Sequence, residues 1–185
     1  MIKDLLKELD VRMSRAVDAL QNGLMTIRTG RASPALVERL PVEYYGTMTP
    51  LNQMASISAP EPRLLTIRPW DASALSTIEK AILKSELGLT PQNDGKLIRM
   101  TIPRLTEERR RELVKVVQRR VEEGKVSLRN LRRDAIADLR EFQKEKMITE
   151  DEFHHGRDQV QELVNKFADK MNELGQRKEQ EILEV

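Results

Sequence analysis

The chain has 185 residues, of which 39% are hydrophobic and 34% charged, with aromatics at only 3% and a formal net charge of +2. So few aromatics suit long helices better than a sandwich or barrel core. The absence of cysteine excludes disulfides, thiolate zinc sites and cysteine nucleophiles, and fits a reducing compartment.

The opening stretch MIKDLLKELD mixes charges with apolar residues, unlike a signal peptide or an Arg-rich transit peptide. No apolar run approaches a membrane span, so a soluble cytoplasmic protein without a membrane partner is expected. From Ile2, the residues Leu5, Leu6, Leu9, Met13, Ala16, Leu20, Leu24 and Ile27 recur every three or four positions and make one apolar stripe. A long first helix follows. In IRTGRASPAL, Gly30 is placed to end that helix as a left-handed C′ residue, and Ser33 with Pro34 suits the N-cap and first position of a short turn. Arg28 has a bland account as a cation near a helix C-terminus. Arg31 has none. The stretch lacks the glycines and the following helix of a phosphate loop.

Seven of the eight prolines lie between Pro41 and Pro103. Within that span PVEYYG, MASISAP and RLLTIRPW read as strands, SALSTIEKAILKSEL as a helix with Leu75, Ile78, Ile82 and Leu83 apolar, TPQNDG as a turn cluster and KLIRMTIP as a strand. Tyr44 and Tyr45 should straddle a sheet, one inward and one outward, and Trp70 should take a core or edge position.

A second long helix opens at LTEERRREL, with Thr106 as cap and Glu107 and Glu108 in its first turn. Its stripe is Leu113, Val117, Val121, Gly124, Leu128, Leu131, Ala135, Leu139 and Phe142, a seam whose small residues let a partner approach. A third opens at MITEDEF, where Thr149 and Glu152 form a capping box and Ile148 and Phe153 a hydrophobic staple. Its stripe runs through Val160, Leu163, Phe167, Met171 and Leu174. None of these helices can bury its stripe alone. The expected fold is therefore α+β: an elongated three-helix bundle from residues 1–29 and 104–185, with a small β/α/β domain, 30–103, inserted on a hinge. Gly30 and the return through Pro103, Arg104 and Leu105 would form that hinge.

Charge is distributed unevenly. Residues 104–146 carry 14 basic and 9 acidic side chains, whereas 147–185 carry 5 and 10. At about 100° per residue, Arg132, Lys125, Arg129, Arg140, Arg133, Lys115 and Arg111 fall on one flank of the second helix, with only Glu107 and Glu122 among them. Glu123, Asp134, Asp138 and Glu141 lie on the other flank. An exposed helix with ordinary charge pairs accounts for part of this. Segregated arginine forks also suit phosphate, and point to RNA. No helix-turn-helix, zinc finger or basic zipper arm points to DNA.

Enzyme chemistry finds little support. No nucleophile elbow, P-loop or Rossmann glycine pattern occurs, so no catalytic residue and no cofactor is expected. The two histidines are His154 and His155, and Glu150, His154 and Asp158 share a helix face. A metal site there lacks ligands from a second element, and a solvated helix start is expected instead.

Five segments, IRTGRASP, VEYYG, PLNQ, LTEERR and RNLRRDA, taken in order, resemble the signature segments of the bacterial ribosome recycling factor family. The resemblance covers the whole chain. It implies an L-shaped, non-enzymatic monomer. Such a factor binds the post-termination ribosome, mainly the large subunit and its RNA. With elongation factor G, which uses the GTP, it splits the ribosome into subunits and releases mRNA and tRNA; initiation factor 3 then keeps the small subunit free. By the same resemblance Arg129, Arg132 and Arg133 contact ribosomal RNA, with Arg28 and Arg31 nearer the elbow; Lys125 joins them from its place on the flank. The competing expectations are a general RNA-binding or RNA-chaperone helical protein, and a coiled-coil scaffold that binds no RNA.

Overall fold

A computed structural model describes residues 1–184. The chain divides into two compact units, one made of Met1–Arg28 with Glu107–Glu184 and the other of Thr29–Thr106. Among the described residues no helix is long and apolar enough to cross a membrane.

The first unit is helical. It contains α1 (Ile2–Met25), α3 (Glu107–Lys144) and α4 (Glu150–Leu183). At 1.5 Å per residue the 38 residues of α3 run about 57 Å without a break. The apolar stripes meet in the middle. Leu9, Met13, Leu20 and Leu24 of α1 are buried with Leu113, Val117, Val121, Leu128, Ala135 and Leu139 of α3. From α4 come Phe153, Val160, Val164, Phe167, Met171 and Ile182. The core therefore draws on Val164 and Ile182 beyond the expected stripe, while Leu163 and Leu174 are only half-buried.

Glycines let α3 and α4 close on each other. A Cβ on Gly175 would sit 2.7 Å from Val121 Cγ2, and one on Gly124 would sit 3.0 Å from Met171 Sδ. The ends of the helices are fixed by local chemistry. Thr149 Oγ1 accepts from the Glu152 N–H at 3.2 Å, and Glu152 Oε2 accepts from the Thr149 N–H at 2.7 Å, so the capping box forms. Ile148 and Phe153, the staple pair, are both buried. Helix α3 ends differently: the Met147 N–H donates to the Phe142 carbonyl and the Lys146 N–H to the Gln143 carbonyl, each at 2.9 Å. This is a Schellman closure with Lys146 at φ 60°, where glycine is usual.

The expectation for Gly30 needs correction. Helix α1 stops at Met25, because the Thr26 hydroxyl donates to the Gly23 carbonyl at 2.7 Å and the Ile27 N–H to the Leu24 carbonyl at 3.1 Å. Those bonds take up carbonyls that another turn of helix would use. Gly30 does adopt a left-handed φ of 76°, but in the second unit. There its missing side chain makes room for Leu105, whose Cγ would lie 3.1 Å from a Cβ.

The second unit is built on two antiparallel sheets and one helix. Strands β1 (Pro41–Tyr44) and β2 (Thr47–Pro50) form a hairpin. Strands β3 (Ala55–Glu61), β4 (Leu64–Pro69), β5 (Pro91–Asn93) and β6 (Ile98–Thr101) form a sheet in the order β3-β4-β6-β5. Helix α2 (Leu75–Lys84) buries Leu75, Ile78 and Ile82 in the same core as Val42, Leu51, Leu65, Ile67, Ile98 and Met100. Leu83 points away and is 61% exposed. Ser33 caps the turn at Pro34–Leu36 by accepting from the Ala35 N–H.

Three local expectations change here. Pro91–Asn93, the middle of TPQNDG, is strand β5, not turn; it lies at the sheet edge, where the missing N–H of Pro91 costs no ladder bond. The reversal falls at Gly95–Lys96, closed by the Asp94 N–H donating to the Leu97 carbonyl at 3.2 Å, with the Asp94 carboxylate accepting from the N–H groups of Lys96 and Leu97. Tyr45 is not on a strand: Tyr45 (φ 49°) and Gly46 (φ 78°) form the two-residue turn between β1 and β2. Trp70 is outside the core: it is 70% exposed just past the end of β4, and its backbone N–H donates to the Met54 carbonyl at 3.2 Å beside β3.

Candidate nucleic-acid interface

The cations of α3 lie on a flank that adjoins the face locked into the bundle core, and Lys125 and Arg132 are half-buried along that border. Leu128, in the middle of the α3 seam, is 1% exposed, and Arg129, four positions from Lys125, stands out into solvent. The two acids on the cationic flank are each spoken for. Glu107 pairs with Arg111, and Glu122 Oε1 accepts from Arg129 Nη2 at 2.8 Å. That bond from Arg129 is the main reason the Glu122 carboxyl is held below its ordinary range, with Lys125 adding to the effect. Arg133 is the most open of the arginines named for RNA on this helix; its side chain is 77% exposed and lies 3.8 Å from Asp134.

Arg132 is held in another way. It is half-buried, and its Nη1 donates to Gln161 Oε1 on α4 at 3.1 Å. Gln161 Nε2 in turn donates to Asn165 Oδ1 at 2.9 Å. Neither amide stood out in the sequence, because an uncharged pair four residues apart on an acidic helix carries no signal of its own.

The structure does not gather all the candidate residues into one unit. Lys125, Arg129, Arg132 and Arg133 lie on α3, and Arg28, exposed, closes the first stretch of the helical unit. Arg31, also exposed, belongs to the second unit, as do Gly30, Pro103, Arg104 and Leu105. Within that unit Gly30 lies against Leu105 and the Pro103 carbonyl, so its two passages of chain run side by side.

A second polar cluster lies on the sheet unit. Asp71 Oδ2 accepts from the Tyr44 hydroxyl at 3.0 Å and from the Tyr45 hydroxyl at 3.4 Å. Its Oδ1 accepts from the Ser73 N–H at 3.0 Å and the Ser73 hydroxyl at 2.7 Å, which caps the turn at Ala72–Ala74. The two tyrosine rings meet edge to face, 4.5 Å apart. The Ser73 bonds, then those from Tyr44, hold the Asp71 carboxyl below its ordinary range, and donation to Asp71 pushes the Tyr44 phenol up.

His154 Nε2 lies 3.7 Å from Glu150 Oε1, and no group of three His, Cys, Asp or Glu side chains among the described residues could hold a metal ion.

Comparison with known proteins gives a consistent answer. A family model described as "Ribosome recycling factor" matches residues 20–183. Ribosome-recycling factors from Roseiflexus sp. strain RS-1 and from Carboxydothermus hydrogenoformans are 54% and 55% identical to this chain over 185 residues, the full length of both partners in each case. A solution structure of the ribosome recycling factor, 43% identical, matches with a TM-score of 0.73 over 100% of this chain and 98% of that one. A T. thermophilus ribosome recycling factor, described with E. coli elongation factor G bound to the E. coli post-termination complex, is 45% identical and matches with a TM-score of 0.64 over 99% of each chain.

Proposed function

The chain belongs to the ribosome recycling factor family, a family of non-enzymatic translation factors, and from that premise we propose how its residues perform recycling. The protein binds the post-termination ribosome and, with elongation factor G and GTP, dissociates it into subunits, releasing mRNA and tRNA. Its grip falls on the RNA of the large subunit. The cationic flank of α3, with Lys125, Arg129, Arg132 and Arg133, lies along phosphates, and Arg28 and Arg31 add contacts. The observation that carries this reading is the flank itself. The α3 helix runs unbroken for 38 residues and sets Arg129 and Arg133 in solvent, with Lys125 and Arg132 half-buried beside them, while the bundle core fixes the backbone beneath. Such a surface meets a rigid RNA fold with little loss of backbone freedom.

The second unit is the part that moves. Chain passes between the units twice, at 28–29 and 106–107. Gly30, Pro103, Arg104 and Leu105 form the hinge beside those crossings. Elongation factor G consumes the GTP and pushes, the hinge lets the sheet unit swing, and the helical rod transmits the force. Initiation factor 3 acts afterwards, on the separated small subunit. The protein works as a monomer in the cytoplasm.

The test is splitting of post-termination ribosomes with elongation factor G and GTP. Arg132→Glu should abolish large-subunit binding and splitting, with helical circular dichroism unchanged and melting lowered only by the worth of the Gln161 bond. Splitting no faster than the factor-free control by the wild-type protein would sink the reading. A general RNA chaperone would instead coat arbitrary RNA without saturating at about one copy per ribosome.

A further inference from the structure

The named arginines of α3 differ in what holds them. Arg129 faces a carboxylate, Glu122 Oε1 at 2.8 Å, which offsets its charge. Among the described residues Arg133 has only Asp134, at 3.8 Å and beyond hydrogen-bond range. Arg132 is tied at 3.1 Å to a neutral oxygen on a different helix, Gln161 Oε1. We propose that Gln161, backed by Asn165, is a positioning residue for RNA binding: it fixes the guanidinium of Arg132 without cancelling its charge. The proposal rests on the reading that Arg132 contacts ribosomal RNA.

The chemistry is specific. A guanidinium has five N–H donors in a rigid fork, so one bond to an amide leaves the others for phosphate. An arginine free in solvent must give up rotamer freedom on binding, and one already held gives up less. A carboxylate would hold it more firmly but offset the charge, as Glu122 does for Arg129. The Asn165 bond does a second job. By accepting from Gln161 Nε2 at 2.9 Å it sets which end of the amide faces Arg132. Turned over, the amide would set its own donors against those of the arginine.

The experiment is a double-mutant cycle on the full-length protein, with binding to purified large ribosomal subunits measured over a salt series. Gln161→Ala should weaken binding about three- to tenfold, the cost of ordering one long side chain that is no longer held beforehand. Its slope of log affinity against log salt should match the wild type, because no cation is lost. Arg132→Ala should weaken binding more and flatten the slope by roughly 0.7–0.9, the share of one phosphate. Adding Gln161→Ala to Arg132→Ala should change nothing further. Asn165→Ala should show a smaller effect with the same dependence on Arg132. If Gln161→Ala binds like wild type while Arg132→Ala does not, the positioning role is overturned and the RNA contact stands. Losses that simply add in the double variant also overturn it, since Gln161 would then act independently of Arg132. Wild-type binding by Arg132→Ala overturns the RNA contact and the proposal together.

Discussion

The two units place their aromatic side chains in opposite ways. All three phenylalanines are on the helices, and Phe153 and Phe167 are buried there. Both tyrosines and the tryptophan are in the sheet unit, whose fully buried core is aliphatic apart from its methionines. In the helical unit the apolar stripe and the cationic flank are different strips of one rod, so binding and folding use different residues, apart from Arg132, whose bond to Gln161 joins α3 to α4. In the sheet unit a single half-buried carboxylate, Asp71, both caps a turn and gathers the two tyrosines, so surface chemistry and local folding share a residue. The helical unit can therefore be altered in binding without being altered in stability, and the sheet unit around Asp71 cannot.

Substitutions can break this contrast or sharpen it. The largest effect should come from Phe167→Ala, which leaves a cavity in the helical core and should cost about 3–5 kcal/mol. The helical melt should fall steeply, while amide exchange at Ile67 and Ile98 in the sheet unit should change far less. Equal acceleration at those amides would mean that the two cores do not act separately. Next is Gly175→Ala. Its Cβ would press on Val121 Cγ2 at 2.7 Å, and a β-branched neighbour cannot swing aside. Overpacking should outweigh the gain in helix propensity and leave a net loss of about 1–2 kcal/mol. Gly124→Ala meets the flexible Met171 side chain at 3.0 Å and should be near neutral. If denaturant midpoints move alike for both, close approach is not what those glycines provide.

A smaller pair of effects tests the two left-handed positions. Lys146 at φ 60° should gain about 1 kcal/mol on substitution by glycine, and Gly30 at φ 76° should lose more than that on substitution by alanine, because its Cβ would also press on Leu105 Cγ at 3.1 Å. A loss at Gly30 no larger than the gain at Lys146 would show that backbone geometry alone governs both. The smallest effect should be the pH response of the Asp71 cluster. The Asp71 carboxyl is lowered from 3.8 by its Ser73 and Tyr44 bonds. Its contribution is present above that ordinary value and is lost as pH falls through the lower folded value. Tyr44, raised from 10.0 by donating to Asp71, contributes below its ordinary value and loses that contribution as pH rises through the higher folded one. In Asp71→Asn, absorbance titration should find Tyr44 back near its ordinary value, with the helical melt unmoved.

How much of this could be read in advance depended on the range of the interaction. The helical stripes were legible because one period governs twenty or more residues, and the Thr149 box because it spans four. The stop at Met25 was not legible: it depends on one threonine hydroxyl turning back to Gly23, and threonine is compatible with many conformations. Nor was the Schellman turn, since Lys146 stands where a glycine would have announced it. Pro91 and Gln92 looked like turn residues and became an edge strand because Met100 and Arg99 of β6 offer them a partner. On the candidate interface the wheel placed Arg132 beside the apolar seam. It could not place Gln161 opposite, because that contact joins residues 29 apart through the packing of α3 on α4.

Trp70 is the single tryptophan of the chain and stands largely in solvent beside the Tyr44–Asp71 cluster. The protein therefore carries its own optical reporter. Excitation at the red edge of the absorption band selects that indole and leaves Tyr44 and Tyr45 dark. Its emission in the free protein should resemble that of a hydrated indole and be open to quenching by iodide. Anything that comes to rest on this face of the sheet unit should shift the emission to the blue and shield it from the quencher. Ligands held only by the arginines of α3 should leave the colour unchanged, so one spectrum distinguishes which unit a partner has covered.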